Sequence, residues 1–530
     1  MATETMDSIL PFLMIIVPLL AGIAIFLLGI RDRKGFASYE GLQTAKEETQ
    51  ASSLPGQPDK HAPLRNAILM VATLVPLFLA LYLYPVISRG VVVTGRLDVL
   101  PPLGLTFSVD VFGYYMALLF SFFGFIIVIY SIGYMKGDVY LNRFFGFLML
   151  VYAGSLGVVL AGDLFSLFLF FEFMSIMYFV LVVHDGTPEA VAAGVKFLFM
   201  TIIAGISLFL AVVVVFQEAG TLVLDTDGLI NDVSTLALLA FIGFVVAFGT
   251  KAAMFPLHLW MPDAYSLAPL PAAIISSAIM LKTGAYGLIR VFYNVFGPDF
   301  WQAVPWDNVL MVLAAFTILF GSVLAIAQDD LIRRLAYSGI AQLGYVILGI
   351  AILTPNALIG AGYHITAHAF MKGCMLLCAG AFVQGTGNRS IRKMKGIGYQ
   401  LPVSMLAFAI ASVTAVGIPP FNIFITKWHL SLGALEIAQP TLVFVLLISS
   451  LLNAAYYLPI VYYAFWGKTA DKGINAQDKG FSRSRIQEAK PIMLVPIILL
   501  AVGCFVFTLS LTNVPLELVQ SVTTMLYGSM

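Results

Sequence analysis

The stretch GTKAAMFPLHLWMPDAY, Gly249 to Tyr265, closes a long apolar run that begins near Leu236. A helix that crosses a bilayer is expected to be apolar and unbroken, because lipid offers its backbone no hydrogen bonds. This one carries a cation, Lys251, followed by Pro256, His258 and Pro262. Proline removes a backbone donor and kinks or ends a helix. A lysine beside its own helix breaker, inside a membrane segment, is the feature the rest of the chain has to explain.

The surroundings of that stretch fix the fold class. Of 530 residues, 60% are hydrophobic and only 11% charged, against about 25% charged in a soluble domain. So little charge cannot cover a water-soluble surface, and lipid must be the solvent. A spanning helix needs roughly 20 apolar residues. A membrane barrel would instead show alternation in runs of about 10. The runs here are long and unbroken, so the chain is read as an all-α integral membrane protein. Fourteen apolar segments are expected, at about 8–30, 66–88, 109–134, 144–161, 164–183, 190–216, 235–262, 270–293, 307–327, 335–353, 356–382, 402–428, 440–466 and 491–512. The N-terminal MATETMDSIL lacks a basic region and a cleavage site, so the first segment reads as a retained span.

Lys and Arg accumulate in cytoplasmic loops. With the N-terminus outside, 20 basic residues fall in inside loops and only Arg89, Arg96 and Arg290 outside. Both termini are therefore expected outside a cell (inner) membrane. The inside loops 31–65 and 467–490 are polar and too poor in apolar residues to fold alone. The segment 89–110, RGVVVTGRLDVLPPLGLTFSVD, alternates β-formers around Gly and Pro and reads as a short outside hairpin. A net charge of zero gives no electrostatic case for nucleic acid or an acidic partner. Cys374, Cys378 and Cys504 are too few for a zinc or iron–sulfur site and read as small core residues.

Five basic residues remain inside spans: Lys196, Lys251, Lys282, Lys372 and Lys427. One acid joins them, Glu172, in FLFFEFMSIMYF, together with His258, His364 and His368. A mid-span lysine costs roughly 2.5–3.5 kcal/mol, and five unpaired ones on the order of 12–18 kcal/mol. Such groups persist where they are paired, hydrated or functional. Lys196 lies near its span's inner end and is able to snorkel. Lys251, Lys282 and Lys427 lie deeper, and Glu172 is expected to be ionised only with a lysine beside it. In HITAHAFMK, His364, His368 and Lys372 fall at i, i+4 and i+8, which places them along one helix face. Histidine titrates near neutrality, so the stripe suits a proton path. A metal site there lacks a carboxylate or a further histidine.

Lys427 also belongs to an interrupted segment, TAVGIPPFNIFITKWHL, with Pro419 and Pro420. Interrupted spans at corresponding places in two halves of a membrane chain point to an internal repeat with a site at its core. The seventh and twelfth segments are five apart, an odd number, so five-helix units repeated at that interval have inverted topology.

The stretch GTKAAMFPLHLWMPDAYSLAPLPAAIISSAIMLKTGAYGLIR resembles the antiporter-like, proton-translocating membrane subunits of complex I, of membrane-bound hydrogenases and of Mrp-type Na+/H+ antiporters. The resemblance extends over about residues 105–466 and includes DLFSLFLFFEFMSIM, DDLIRRLAYSGIAQLGY, HITAHAFMKGCMLLCAG and GIPPFNIFITKWHL. It implies fourteen helices with two inverted five-helix repeats and broken seventh and twelfth helices. It implies that Glu172 partners Lys251, that Lys282 and the His364, His368 and Lys372 stripe pass protons along the midplane, and that Lys427 stands on the exit side. Lys196 matches a frequent family lysine, and His258 lies within the matched break. The family often has histidine where Tyr265 stands and lysine where Ile332 stands, so an inner uptake route through that histidine is absent here.

The chain is accordingly divided into 1–108 (N-terminal helices, inside loop and hairpin), 109–300 and 301–466 (first and second repeat regions) and 467–530 (inside loop and C-terminal helix). The expected function is a proton-translocating subunit of a multisubunit complex, with other membrane subunits, protons and lipid as partners and Na+ left open. The Glu172–Lys251 pair would act as a switch that releases a proton when it opens. No dinucleotide loop, cysteine cluster or haem-ligand pair is present, so no cofactor and no redox step are expected in this chain. An Mrp-type Na+/H+ antiporter subunit and a stand-alone secondary transporter are the alternatives.

Overall fold

The computed structural model describes residues 4–32, 61–100, 103–224, 228–303, 305–466, 488–508 and 514–527. The expected loops 31–65 and 467–490 lie almost wholly outside the described residues.

The chain is an all-α membrane protein. In order, its main helices are α1 (Leu10–Asp32), α2 (Ala62–Ile87), α3 (Val111–Tyr134), α4 (Leu141–Leu160), α5 (Leu164–Val182), α6 (Pro188–Ala219), α7 (Thr235–Lys251), α8 (Met261–Leu267) and α9 (Leu270–Val295). They continue as α10 (Trp306–Ala327), α11 (Leu331–Ala351), α12 (Pro355–Thr386), α13 (Pro402–Val416), α14 (Asn422–Glu436), α15 (Pro440–Trp466), α16 (Pro491–Val506) and α17 (Val514–Tyr527). Among the described residues, eleven helices are long and apolar enough to cross a membrane, and α7, α13 and α16 are shorter apolar helices. Each expected range overlaps at least one of these helices, and 402–428 takes in α13 and the first half of α14.

Local chemistry sets many of the helix starts. The side chains of Asp110, Asp163, Thr187, Ser234, Asp330 and Thr354 each accept from a backbone N–H three residues on, which satisfies a donor that has no partner within the helix. Both expected breaks are present. α7 stops at Lys251, and α8 starts at Met261. Trp260 Nε1 donates to the Thr250 carbonyl at 2.9 Å and ties down the frayed end. α13 stops at Val416, Gly417 takes a left-handed φ of +85°, and α14 starts at Asn422.

α9 and α12 form the interior pair. Both are buried throughout their most apolar windows, whereas α1, α2 and α15 are buried over only about a third of theirs. α12 packs on α11, α13, α14 and α16, and α9 packs on α3, α7 and α11. The two lysines and two histidines of these helices, Lys282, Lys372, His364 and His368, are thereby held away from lipid. α9 is not uniform: it widens to π-turns at Ser276–Met280 and Val291–Val295.

The expected hairpin forms from β2 (Val92–Leu100) and β3 (Leu103–Val109), antiparallel, with an irregularity between Leu97 and Leu100. A third strand that sequence reading missed, β1 (Thr5–Asp7), runs parallel to β2. Two further differences concern segment ends. α16 is shorter than the expected 491–512, and α17 follows it as a separate helix that packs on α3 and α12. Arg290, counted above with the outside loops, is buried in α9 and paired with Asp110 at 2.7 Å.

Candidate functional site

The two helix breaks bracket a line of buried side chains. At the first, Lys251 is the last residue of α7 and is fully buried. Its ammonium donates to Ser175 Oγ on α5 at 2.6 Å and lies 5.1 and 5.2 Å from the Phe171 and Phe197 rings. The expected Glu172–Lys251 ion pair is not made within 4.0 Å, and Glu172 Oε1 has no hydrogen-bond partner. The reason is one of register: Ser175 is nearly one turn beyond Glu172 on α5 and meets the end of α7, while the Glu172 carboxyl lies against Gly205 of α6. A Cβ at Gly205 would stand 2.5 Å from that carboxyl carbon.

At the centre, Lys282 Nζ of α9 contacts the Ser277 carbonyl and lies 2.8 Å from His368 Nδ1 of α12. His368 stacks on His364, with ring centroids 5.8 Å apart and planes within 20°. His364 in turn meets the Tyr345 ring of α11 edge-on at 5.2 Å. At the second break, Lys427 Nζ of α14 lies 5.4 Å from the centroid of the same Tyr345 ring. It donates to the Val416 carbonyl freed at the end of α13 (2.8 Å) and to Ser450 Oγ (2.6 Å). Gly417 makes room for it, since a Cβ there would approach Lys427 Cδ to 2.9 Å. Lys282, His368, His364, Tyr345 and Lys427 thus form one contiguous line.

Lys372 leaves that line. Eight residues advance a helix by roughly 80° beyond two full turns, so Lys372 turns away from His364. Its ammonium donates to Ser338 Oγ (2.5 Å), Tyr457 OH (2.7 Å) and the Leu335 carbonyl (3.2 Å). Lys196 is apart altogether: it is exposed and bonds Asp263 at 2.8 Å, which also holds Arg333 at 2.8 Å. His258 is buried at the α7 break, stacked on Phe255 at 5.6 Å, with Nδ1 unpartnered.

Ser175, Ser338, Ser450, Tyr345 and Tyr457 carry the site but were missed in the sequence. A hydroxyl in an apolar run is common and carries no charge to stand out. One signal was readable: in α15, Ser449, Asn453, Tyr456 and Tyr457 recur at helical spacing. Tyr345 OH lies 2.6 Å from Ser449 Oγ, and Asn453 Nδ2 reaches both Tyr345 OH (3.3 Å) and the Ala415 carbonyl at the α13 break (2.9 Å). Chemically, the line offers amines, imidazoles and hydroxyls, each able to give and accept a proton. Among the described residues, the one group with metal-ligand spacing is Asp138, His184 and Asp185, outside the spans and away from the line.

A helical bundle built around lysines and histidines held between two broken helices defines a multi-pass membrane protein with a buried line of titratable side chains. The chain belongs to the NADH:quinone oxidoreductase/Mrp antiporter transmembrane family, whose profile matches residues 161–453. The profile of the N-terminal part of complex I chain 5 matches residues 102–145. The chain is 36% identical over 420 residues to NADH-quinone oxidoreductase subunit N of Desulforudis audaxviator (strain MP104C), covering 77% of this chain and 83% of that one. It is 30% identical over 422 residues to a Na(+)/H(+) antiporter subunit of Alkalihalophilus pseudofirmus, with the same coverage of 77% and 83%. The fold matches a chain of the membrane-bound sulfane sulfur reductase, an archaeal respiratory membrane complex (TM-score 0.80, 22% identity, 98% of both chains). It matches a chain of the Mrp complex from Dietzia sp. DQ12-45-1b equally well (TM-score 0.80, 22% identity, 98% and 97%). The chain is therefore an antiporter-like membrane subunit of the kind found in multisubunit complexes.

Proposed function

We propose that this chain conducts protons for a multisubunit respiratory complex of the NADH dehydrogenase or membrane-bound hydrogenase type. The observation that carries the proposal is the contiguous line from Lys282 through His368, His364 and Tyr345 to Lys427, with Lys251 at the opposite break. Both termini lie outside the cell membrane in this reading. The halves 109–300 and 301–466 are inverted repeats, and the order of lysine and break supports it: Lys251 precedes its break and Lys427 follows its own.

A proton taken up from inside reaches Lys251, passes to Lys282 and His368, and leaves outside past Lys427. Glu172 acts as the switch. When its carboxylate swings to Lys251 the ammonium is held; when Ser175 alone holds it, the arrangement seen here, the proton is free to move on. Lys372, turned toward Ser338 and Tyr457, feeds the second half. Lys196 and His258 flank the inner approach. The chain carries no redox group of its own, and neighbouring subunits supply the driving signal.

The test is proton pumping by the purified complex in proteoliposomes. Lys251→Ala, Lys282→Ala and Glu172→Gln are expected to lose most pumping while the complex still assembles. Wild-type pumping by all three would sink the relay. The relative named as a Na(+)/H(+) antiporter component supports a second reading, an Mrp-type subunit. Sodium-dependent proton efflux, with no redox subunit copurifying, would favour it. Transport by the isolated chain would favour a stand-alone transporter.

A further inference from the structure

Two turns at one end of the bundle bring a histidine and two carboxylates together, away from the buried lysines. Asp138 lies in the turn that joins α3 to α4, and His184 and Asp185 lie in the turn that joins α5 to α6. One ligand atom from each, a ring nitrogen and two carboxylate oxygens, lies within 4.8 Å of the others. His184 Nε2 is 3.2 Å from Asp138 Oδ1.

The residues around them hold this placement. The His184 side chain is only 1% exposed, and that of Asp138 is 25% exposed. The imidazole meets the Tyr140 and Phe144 rings edge-on, with centroids 6.2 and 5.2 Å away. Asp138 Oδ1 also accepts from the Tyr140 amide at 2.7 Å, which fixes the carboxylate. Gly137 and Gly186, with φ of +101° and +66°, let the two turns close. Asp185 is half-buried beside the ring.

A hydrogen-bonded histidine needs one carboxylate, and this one has two. With the ring neutral, two aspartates and one guanidinium, Arg143, leave a net negative charge on the cluster. Two ligand atoms on one zinc ion, each at about 2.1 Å in tetrahedral geometry, stand about 3.4 Å apart. The Asp138–His184 pair already has close to that spacing, and a side-chain rotation of Asp185 closes the rest. Three protein ligands leave a fourth position for water. Imidazole among the donors favours zinc over hard magnesium, which prefers oxygen ligands and keeps its water.

Arg143 works against occupancy. Its Nη2 donates to the His184 carbonyl and lies 3.4 Å from Nδ1, and its guanidinium rests 4.4 Å from the Tyr140 ring centroid. A neutral imidazole that binds metal through Nε2 carries its proton on Nδ1, where it would face this donor. Metal-bound histidines instead give that proton to an acceptor.

We propose that Asp138, His184 and Asp185 form a binding site for a zinc-class divalent cation, which ties the end of α5 to the turn between α3 and α4, and that Arg143 limits its affinity.

The experiment uses the full-length chain, purified in detergent through a tag without histidine and stripped with a chelator. Zn2+ is titrated in by isothermal calorimetry, and Tm is followed in parallel. One Zn2+ per chain is expected, with a Tm that rises with Zn2+ concentration. Mg2+ at the same concentrations is expected to give neither signal. His184→Gln, Asp138→Asn and Asp185→Asn are each expected to weaken binding about tenfold or more and to abolish the rise in Tm. Arg143→Gln is expected to tighten binding about tenfold, because its amide oxygen accepts the Nδ1 hydrogen. His429→Gln, which alters a histidine bonded to Asn356 outside the cluster, is expected to bind Zn2+ as wild type does. No Zn2+ uptake, or equal uptake by wild type and His184→Gln, overturns the site. An equal response to Mg2+ overturns the zinc-class assignment. Where Asp138→Asn fails to fold, Asp185→Asn decides. A folded Arg143→Gln that binds no more tightly overturns the limiting role of the arginine.

Discussion

Ser175 does for Lys251 what Glu172 was expected to do, and the exchange has measurable consequences. A serine hydroxyl and two aromatic faces stabilise a buried ammonium less than a carboxylate would, since neither carries the opposite charge that offsets the cost of taking a cation out of water. Ser175→Ala removes the one hydrogen bond Lys251 makes and should cost about 1–3 kcal/mol, read as a lower Tm of the detergent-solubilised protein. In a Lys251→Met background the same change should cost much less; equal costs in both backgrounds would refute the contact. Gly205→Ala places a methyl where the Glu172 carboxyl rests; the carboxyl ends a flexible side chain and can swing aside, so the change should impair pumping with little change in Tm, and wild-type pumping would show that this resting position does not matter. The charged residues of this site were legible in the sequence because a charge in an apolar run is expensive and conspicuous. Their actual hydrogen-bond partners were not, because a serine or tyrosine in a span carries no such penalty and its direction depends on neighbours distant in sequence.

The two interrupted spans show how much an element can announce about itself. Pro256, and Pro419 with Pro420, removed backbone donors at places where no α-helix could continue, so the breaks could be placed from the sequence alone. The way each break is sealed could not. At α7 an indole from the break itself caps the freed carbonyl, whereas at α13 a lysine and an asparagine from α14 and α15 do so. Asn453→Leu should leave the Ala415 carbonyl without its donor and cost about 1–3 kcal/mol. Pumping should fall with it, since Tyr345 loses one of its two hydrogen-bonding neighbours. Unchanged pumping and unchanged Tm would remove Asn453 from the site. The π-turns of α9, the short strand β1 and the helix α17 left no readable mark. A π-turn depends on packing rather than composition, and a three-residue strand is too short to show a period.

Across the whole molecule, apolar run lengths fixed the fold class, and the asymmetry of Lys and Arg remains the argument for orientation. One pair ties distant parts together. Arg290 binds Asp110 in a two-pronged contact at 2.7 Å through both terminal nitrogens, joining α9 to the start of α3. Burial alone would raise the Asp110 carboxyl, but the Arg290 charge and hydrogen bonds outweigh it and hold it below the usual carboxylate range. A group with a depressed folded value contributes fully above its ordinary value, about 4, and loses that contribution as pH falls through the folded value. Stability of the purified protein should therefore fall on acidification below about pH 4, and less steeply in Asp110→Asn. Identical acid profiles for the two would show that the pair does not set it.

The most enclosed helices also carry a cost before the protein is complete. α9, α11 and α12 are the least apolar of the long spans and the most deeply buried. Their lysines and histidines meet favourable neighbours only once the surrounding helices are in place. Released singly into lipid during synthesis, such segments are the weakest at partitioning. Biogenesis should then depend on holding them beside the insertion machinery until α13, α14 and α16 arrive. Chains truncated after α9 are the ones expected to be left exposed to membrane proteases.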